Sequence, residues 1–166
     1  MDAALKGLKV LDFSTLLPGP FATLYLADLG AEVIHVESPS RPDLIRIFPP
    51  YVNGQATSHS YLNRNKKSIA LDLKDPQNIE LIKSKIADFD IVVEQFRPEV
   101  MKRLGLDYQT LAKINPRLIY CSITGYGQTG LYKDKAGHDI NYLALSGIVG
   151  HSCRQDSGPP PMGIQI

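Results

Sequence analysis

Short apolar runs alternate with segments of helical period along this chain, and that alternation predicts a parallel α/β sheet. Residues 8–13, 31–37, 67–73, 89–94 and 118–124 read as the strands. The loop Leu16-Leu17-Pro18-Gly19-Pro20 hands the first strand to a helix, with Pro20 suited to its first turn and Gly30 to its stop. Phe21, Leu24, Tyr25 and Leu29 recur there at i, i+3, i+4 and i+8, which predicts one buried face. Asp75-Pro76 gives the next helix an N-cap and a first-turn proline, ahead of an Ile79, Ile82, Ile86 stripe. Pro98 opens a short helix ending before Gly105, Asp107 caps another carrying Leu111 and Ile114, and 138–149 reads as the last. Residues 38–65 break the rhythm with Pro39, Pro42, Pro49, Pro50 and Gly54, which predicts a long irregular excursion with a short helix near 44–48. Loops of that length in compact domains are more often functional than filler. The expected fold is an open, mostly parallel Rossmann-like sheet with helices on both faces.

Composition leaves that picture standing. The 166 residues suit about one domain, and 18 Lys+Arg against 17 Asp+Glu give a net charge of +1. Such a balance argues against nucleic-acid binding through bulk electrostatics. Cys121 and Cys153 are too few for a disulfide framework and lack metal-site spacing. The first residues carry no secretory pattern, and no apolar run reaches the ~18 residues of a membrane span. A reduced, cytoplasmic protein without a metal is expected.

Charge is unevenly spread. Between Arg41 and Lys67, five basic residues (Arg41, Arg46, Arg64, Lys66, Lys67) face Asp43 alone, so the rest of the chain is net negative. Lys74 follows the third strand and Arg97 the fourth. Guanidinium and ammonium groups suit phosphate oxygens, so the cluster is either a solvated loop or the seat of a polyphosphate ligand. Gly125-Tyr126-Gly127-Gln128-Thr129-Gly130 matches the G-x-G-x-x-G dinucleotide pattern. A polar loop follows it where a helix should open, so neither NAD nor flavin is expected. His138-Asp139 precedes an apolar helix. There a histidine is either structural or a base kept neutral by the helix N-terminus, while Asp139 could simply cap. His35 lies mid-strand and is expected in the core; Tyr126 and Tyr142 read equally as packing residues or ligand contacts.

Several segments together resemble the family III (CaiB/BaiF-type) CoA-transferases, which include α-methylacyl-CoA racemases and formyl-CoA transferases. They are 8–13 with Pro18-Gly19-Pro20, 27–34, Asn63-Arg64-Asn65-Lys66-Lys67, 71–74, Glu94-Gln95-Phe96-Arg97-Pro98, 103–106, 115–120, 124–128 and Gly137-His138-Asp139-Ile140-Asn141-Tyr142. The resemblance implies that acyl-CoA is the substrate and that Arg41, Lys74, Phe96, Arg97 and Arg103 lie along the CoA nucleotide, Phe96 near the adenine. Arg64 and Lys66 would complete the basic surface. It makes His138 a racemase-type base beside the thioester α-carbon. In the transferases an aspartate serves as nucleophile instead. The histidine favours racemisation of 2-methylacyl-CoA over CoA transfer between carboxylic acids. Residues 1–166 would be the N-terminal, Rossmann-like CoA-binding portion of the large domain of an interlocked homodimer. The family's essential aspartate follows the segment matching 159–166, so the chain alone is expected to be a catalytically inactive CoA-binding module.

Overall fold

The computed structural model describes residues 3–152 together with 156, 158 and 163. Cys153 and, apart from Gly163, the closing segment 159–166 lie outside the described residues. The chain forms two compact units, Met1–Ile123 and Thr124–Ile166. In the first, β1 (Lys9–Asp12) leads into α1 (Pro18–Asp28) and β2 (Glu32–Glu37). A 3₁₀ turn (Leu44–Ile47), the hairpin of β3 (Tyr51–Val52) and β4 (Gln55–Ala56), and α2 (Thr57–Leu62) make up the excursion. Then come β5 (Lys67–Ala70), α3 (Pro76–Lys85), β6 (Ile91–Glu94), α4 (Val100–Leu104), α5 (Tyr108–Leu111) and β7 (Ile119–Ser122). The second unit holds α6 (Asp139–Leu145) and α7 (Ile148–His151).

Five strands form one sheet in the order β5-β2-β1-β6-β7, every neighbouring pair parallel. This is the Rossmann order, with its reversal between β1 and β6. Register converts strand alternation into two cores. Leu11 pairs with Ile34 and Val92, and that face carries Leu11, Phe13, Val36 and Val92 against Ile79, Ile82 and Ile86 of the α3 segment and Met101 and Leu111. Val10, Val33 and Val93 point the other way, onto Ala27 of α1 and Ala31. Helices therefore cover both faces, as expected.

Individual elements differ from expectation in instructive ways. β5 stops at Ala70 because Asp72 folds the chain into a turn, its side chain accepting from the Lys74 amide at 3.0 Å. Asp75 and Asp107 cap α3 and α5, taking amides from Gln77 and Thr110. α4 starts at Val100 rather than Pro98 because Glu99 sits in the left-handed region at φ 68°. The last helix is two pieces, broken where Gly147 adopts φ +81°, a conformation glycine accepts without strain. The larger correction concerns α1. Its buried face is Gly19, Pro20, Thr23, Leu24 and Ala27, whereas Phe21, Tyr25 and Leu29 are exposed. Small residues let the helix approach the sheet closely, and Thr23 faces inward because a buried carboxylate waits there.

Candidate functional site

In open α/β sheets, ligands bind outside the carboxyl ends of the strands, where the order reverses. Here that crevice lies between the β1–α1 loop and the segment after β6. Its construction differs from a dinucleotide site. Among the first four residues of α1, Pro18 and Pro20 have no N–H. The Gly19 amide donates to Gln95 Oε1 at 3.0 Å, and the Phe21 amide to the Leu17 carbonyl at 2.9 Å. Within α1 itself the first-turn amides are therefore missing or taken, so the helix lacks the set of free N–H groups that a pyrophosphate site uses. Gly19 is required by closeness: a Cβ there would lie 2.1 Å from Ser14 Cβ. Leu16 holds φ 64° in the same loop, and its amide donates to Asp43 Oδ2 at 2.9 Å.

Beneath the loop lies a buried charged network. Asp12 is fully buried; Oδ1 accepts from the Ser14 amide (2.9 Å) and hydroxyl, and Oδ2 from the Thr23 hydroxyl. Burial pushes its carboxyl upward, but His35 and the two hydroxyls outweigh this and hold it below the usual aspartate value. The Lys66 side chain, only 1% exposed, donates to the Pro20 carbonyl and Thr23 Oγ1 at 2.8 Å each. Its ammonium stands 3.5 Å from Asp12 Oδ2, and burial lowers its pKa despite that carboxylate. His35 is in the core as expected, 3.6 Å from Asp12 Oδ2 and 3.9 Å from Glu37 Oε1. Arg46 grips Glu37 with two hydrogen bonds and lowers its pKa to about 2.

The sequence-predicted cations divide into two sets. Lys66 is turned inward, and Arg64 is engaged with Asp28 and stacked 4.5 Å from the Tyr61 ring centre, so both are committed to internal contacts. Arg41, Lys74 and Arg97 are exposed and follow β2, β5 and β6, so the parallel sheet collects all three at its carboxyl edge. Lys74 and the exposed Arg103 of α4 meet in a groove of ≈ 440 Å³ with Leu73, Pro76, Ile79, Glu80 and Leu104. Phe96 packs half-buried against the larger core, and its amide donates to Glu94 Oε2 at 2.8 Å. Glu94 is buried, and burial raises its pKa. In the second unit His138 is exposed at the N-cap of α6, its own amide donating to Asn141 Oδ1 at 2.9 Å. The glycine-rich loop serves packing: a Cβ at Gly125 or Gly137 would enter the Tyr142 or Tyr126 ring, and these rings meet at 5.4 Å.

Sequence reasoning missed Asp12, Asp43, Glu94 and Gln95. Asp12 and Glu94 had a readable signal, being acidic residues that close strands of otherwise buried apolar character. Among the described residues, no three His, Cys, Asp or Glu side chains are placed to hold a metal ion, and no helix is long and apolar enough to cross a membrane.

A Rossmann-ordered sheet with cations gathered at its carboxyl edge is an α/β architecture suited to a phosphate-bearing ligand. The chain belongs to CoA-transferase family III, whose pattern matches residues 5–166. It is 45% identical to the mouse succinyl-CoA:glutarate CoA-transferase over 98% of its length and 39% identical to the mouse α-methylacyl-CoA racemase over 96%. A crystal structure of a CaiB/BaiF family protein from Brucella suis superposes with a TM-score of 0.91 at 39% identity, covering 99% of this chain. The chain spans 37%, 38% and 44% of these proteins' own lengths.

Proposed function

We propose that this chain forms the CoA-binding part of an enzyme that transfers coenzyme A between carboxylic acids, dicarboxylates among them. The observation that carries the reading is the identity profile: 45% to a succinyl-CoA:glutarate transferase against 39% to a racemase, each over nearly the whole chain. It reverses the order suggested by His138 alone. Arg41, Lys74, Arg97 and Arg103 are assigned to the CoA phosphates and Phe96 to the adenine; Arg64 and Lys66 are left to their internal partners. Side-chain cations suit this task because α1 offers no amides for it. An interlocked homodimer and a cytoplasmic setting belong to the same reading.

Racemisation is the second reading, supported by His138 standing exposed at the start of α6. The two separate by product. The intact enzyme given succinyl-CoA and glutarate should form glutaryl-CoA, detected by mass spectrometry. Given a chiral 2-methylacyl-CoA in deuterated water, it should leave the α-carbon unlabelled. Deuterium at that carbon, with no CoA passed to any dicarboxylate, would make the enzyme a racemase.

A further inference from the structure

Asp43 is a buried carboxylate that neither the sheet nor the proposed phosphate contacts require. Its two oxygens serve different segments. Oδ1 accepts from the Ile45 amide at 3.0 Å and starts the 3₁₀ turn of the excursion. Oδ2 accepts from the Leu16 amide at 2.9 Å, 27 residues back in the chain. Leu16 is where the β1–α1 loop adopts φ 64°, a conformation that a bulky side chain keeps only when its surroundings impose it. Arg41 is joined to Asp43 through Pro42 alone. Proline fixes its own φ and confines the preceding residue to extended backbone, so Arg41 is carried on a stiff link. One carboxylate thus sets both the loop at the sheet's reversal point and the root of a cation-bearing segment.

We propose that Asp43 is a positioning residue for CoA binding, fastening the Arg41 segment to the β1–α1 loop so that one rigid edge receives the ligand; this rests on the CoA reading above. Its carboxylate touches no part of the ligand and acts through Leu16 and Arg41.

Asp43→Asn separates the two bonds: asparagine is a good N-cap, so its one oxygen stays with the local Ile45 amide that starts the 3₁₀ turn, and the NH2 group then faces the Leu16 amide as a second donor. Site-resolved amide exchange and calorimetric titration with CoA are measured on wild type, Asp43→Asn and Asp43→Asn/Leu16→Gly. In Asp43→Asn the Leu16 amide should exchange at least about tenfold faster while amides of β1 and β2 keep their rates, and CoA affinity should fall about tenfold. Adding Leu16→Gly should restore most of that affinity, because glycine holds a positive φ without strain. Three results overturn the assignment: an unchanged Leu16 amide, a freed Leu16 amide with unchanged CoA affinity, or a loss of affinity that glycine does not restore. Failure of the wild-type chain to take up CoA overturns the functional reading itself, and that outcome is recognised without any variant.

Discussion

An ionised carboxylate at the end of a buried strand costs several kcal/mol unless it is paired and hydrogen-bonded. Asp12 meets that condition through Ser14, Thr23 and the Lys66 ammonium. Removing the cation takes away the ammonium of a buried pair and leaves the carboxylate to its hydrogen bonds and His35, so Lys66→Met should cost up to about 3–5 kcal/mol in urea denaturation. Lys67→Met, which breaks an exposed pair with Glu32, should stay within about 0.5 kcal/mol. Equal losses for the two variants would remove the network from any structural role. Glu37 provides a pH signature. Its pKa is lower in the folded chain, about 2 against an ordinary 4.5, so its stabilisation is complete above 4.5 and is lost as pH falls toward 2. Asp12 is depressed too and acts in the same direction. The denaturation midpoint should therefore drop between pH 6 and pH 3, and Arg46→Met should shrink that drop. A slope indifferent to Arg46 would show that the pair does not set it.

At the level of elements, α1 and α3 make opposite use of their apolar residues. In α3 the isoleucine stripe read from the sequence is the buried one. Ile86→Ala, just past its end, should cost about 2–5 kcal/mol. In α1, Tyr25 is 56% exposed although it lies on the predicted apolar face, so Tyr25→Ser should shift the thermal midpoint little, within about 0.5 kcal/mol. A large loss there would mean that the helix packs on its apolar face after all. The contrast shows what the chain makes legible. Strand positions, the two aspartate caps and the Ile79 stripe follow from local rules of period and hydrogen bonding. The face of α1 does not, because Thr23 turns inward to meet Asp12, a partner eleven residues away on another element. The same holds at the site: Lys74 and Arg97 were readable as cations after strands and Arg41 as part of a basic run, whereas the inward turn of Lys66 depends on contacts no local pattern encodes.

For the whole molecule, the parallel sheet is the device that brings scattered cations together. Arg97→Ala combined with Arg103→Ala should weaken CoA binding at least about tenfold by calorimetry, since the proposed reading gives each a charge-assisted phosphate contact. Unchanged affinity would remove both residues from the ligand. In wild type, CoA at a hundredfold excess over Kd should add about 2.7 kcal/mol of stability, readable as a thermal shift. The entry to α1 carries a further meaning. Coenzyme A and the nicotinamide and flavin dinucleotides share an adenosine joined to a pyrophosphate, so a cell presents this fold with abundant look-alikes. Pro18, Pro20 and the Gln95-bound Gly19 leave the first turn of α1 without the run of free amides that a dinucleotide fingerprint presents. On the CoA reading, any preference against those look-alikes rests on two prolines and one glutamine side chain, so Gln95→Ala, which frees the Gly19 amide, is an exchange at the carboxyl edge that should relax it.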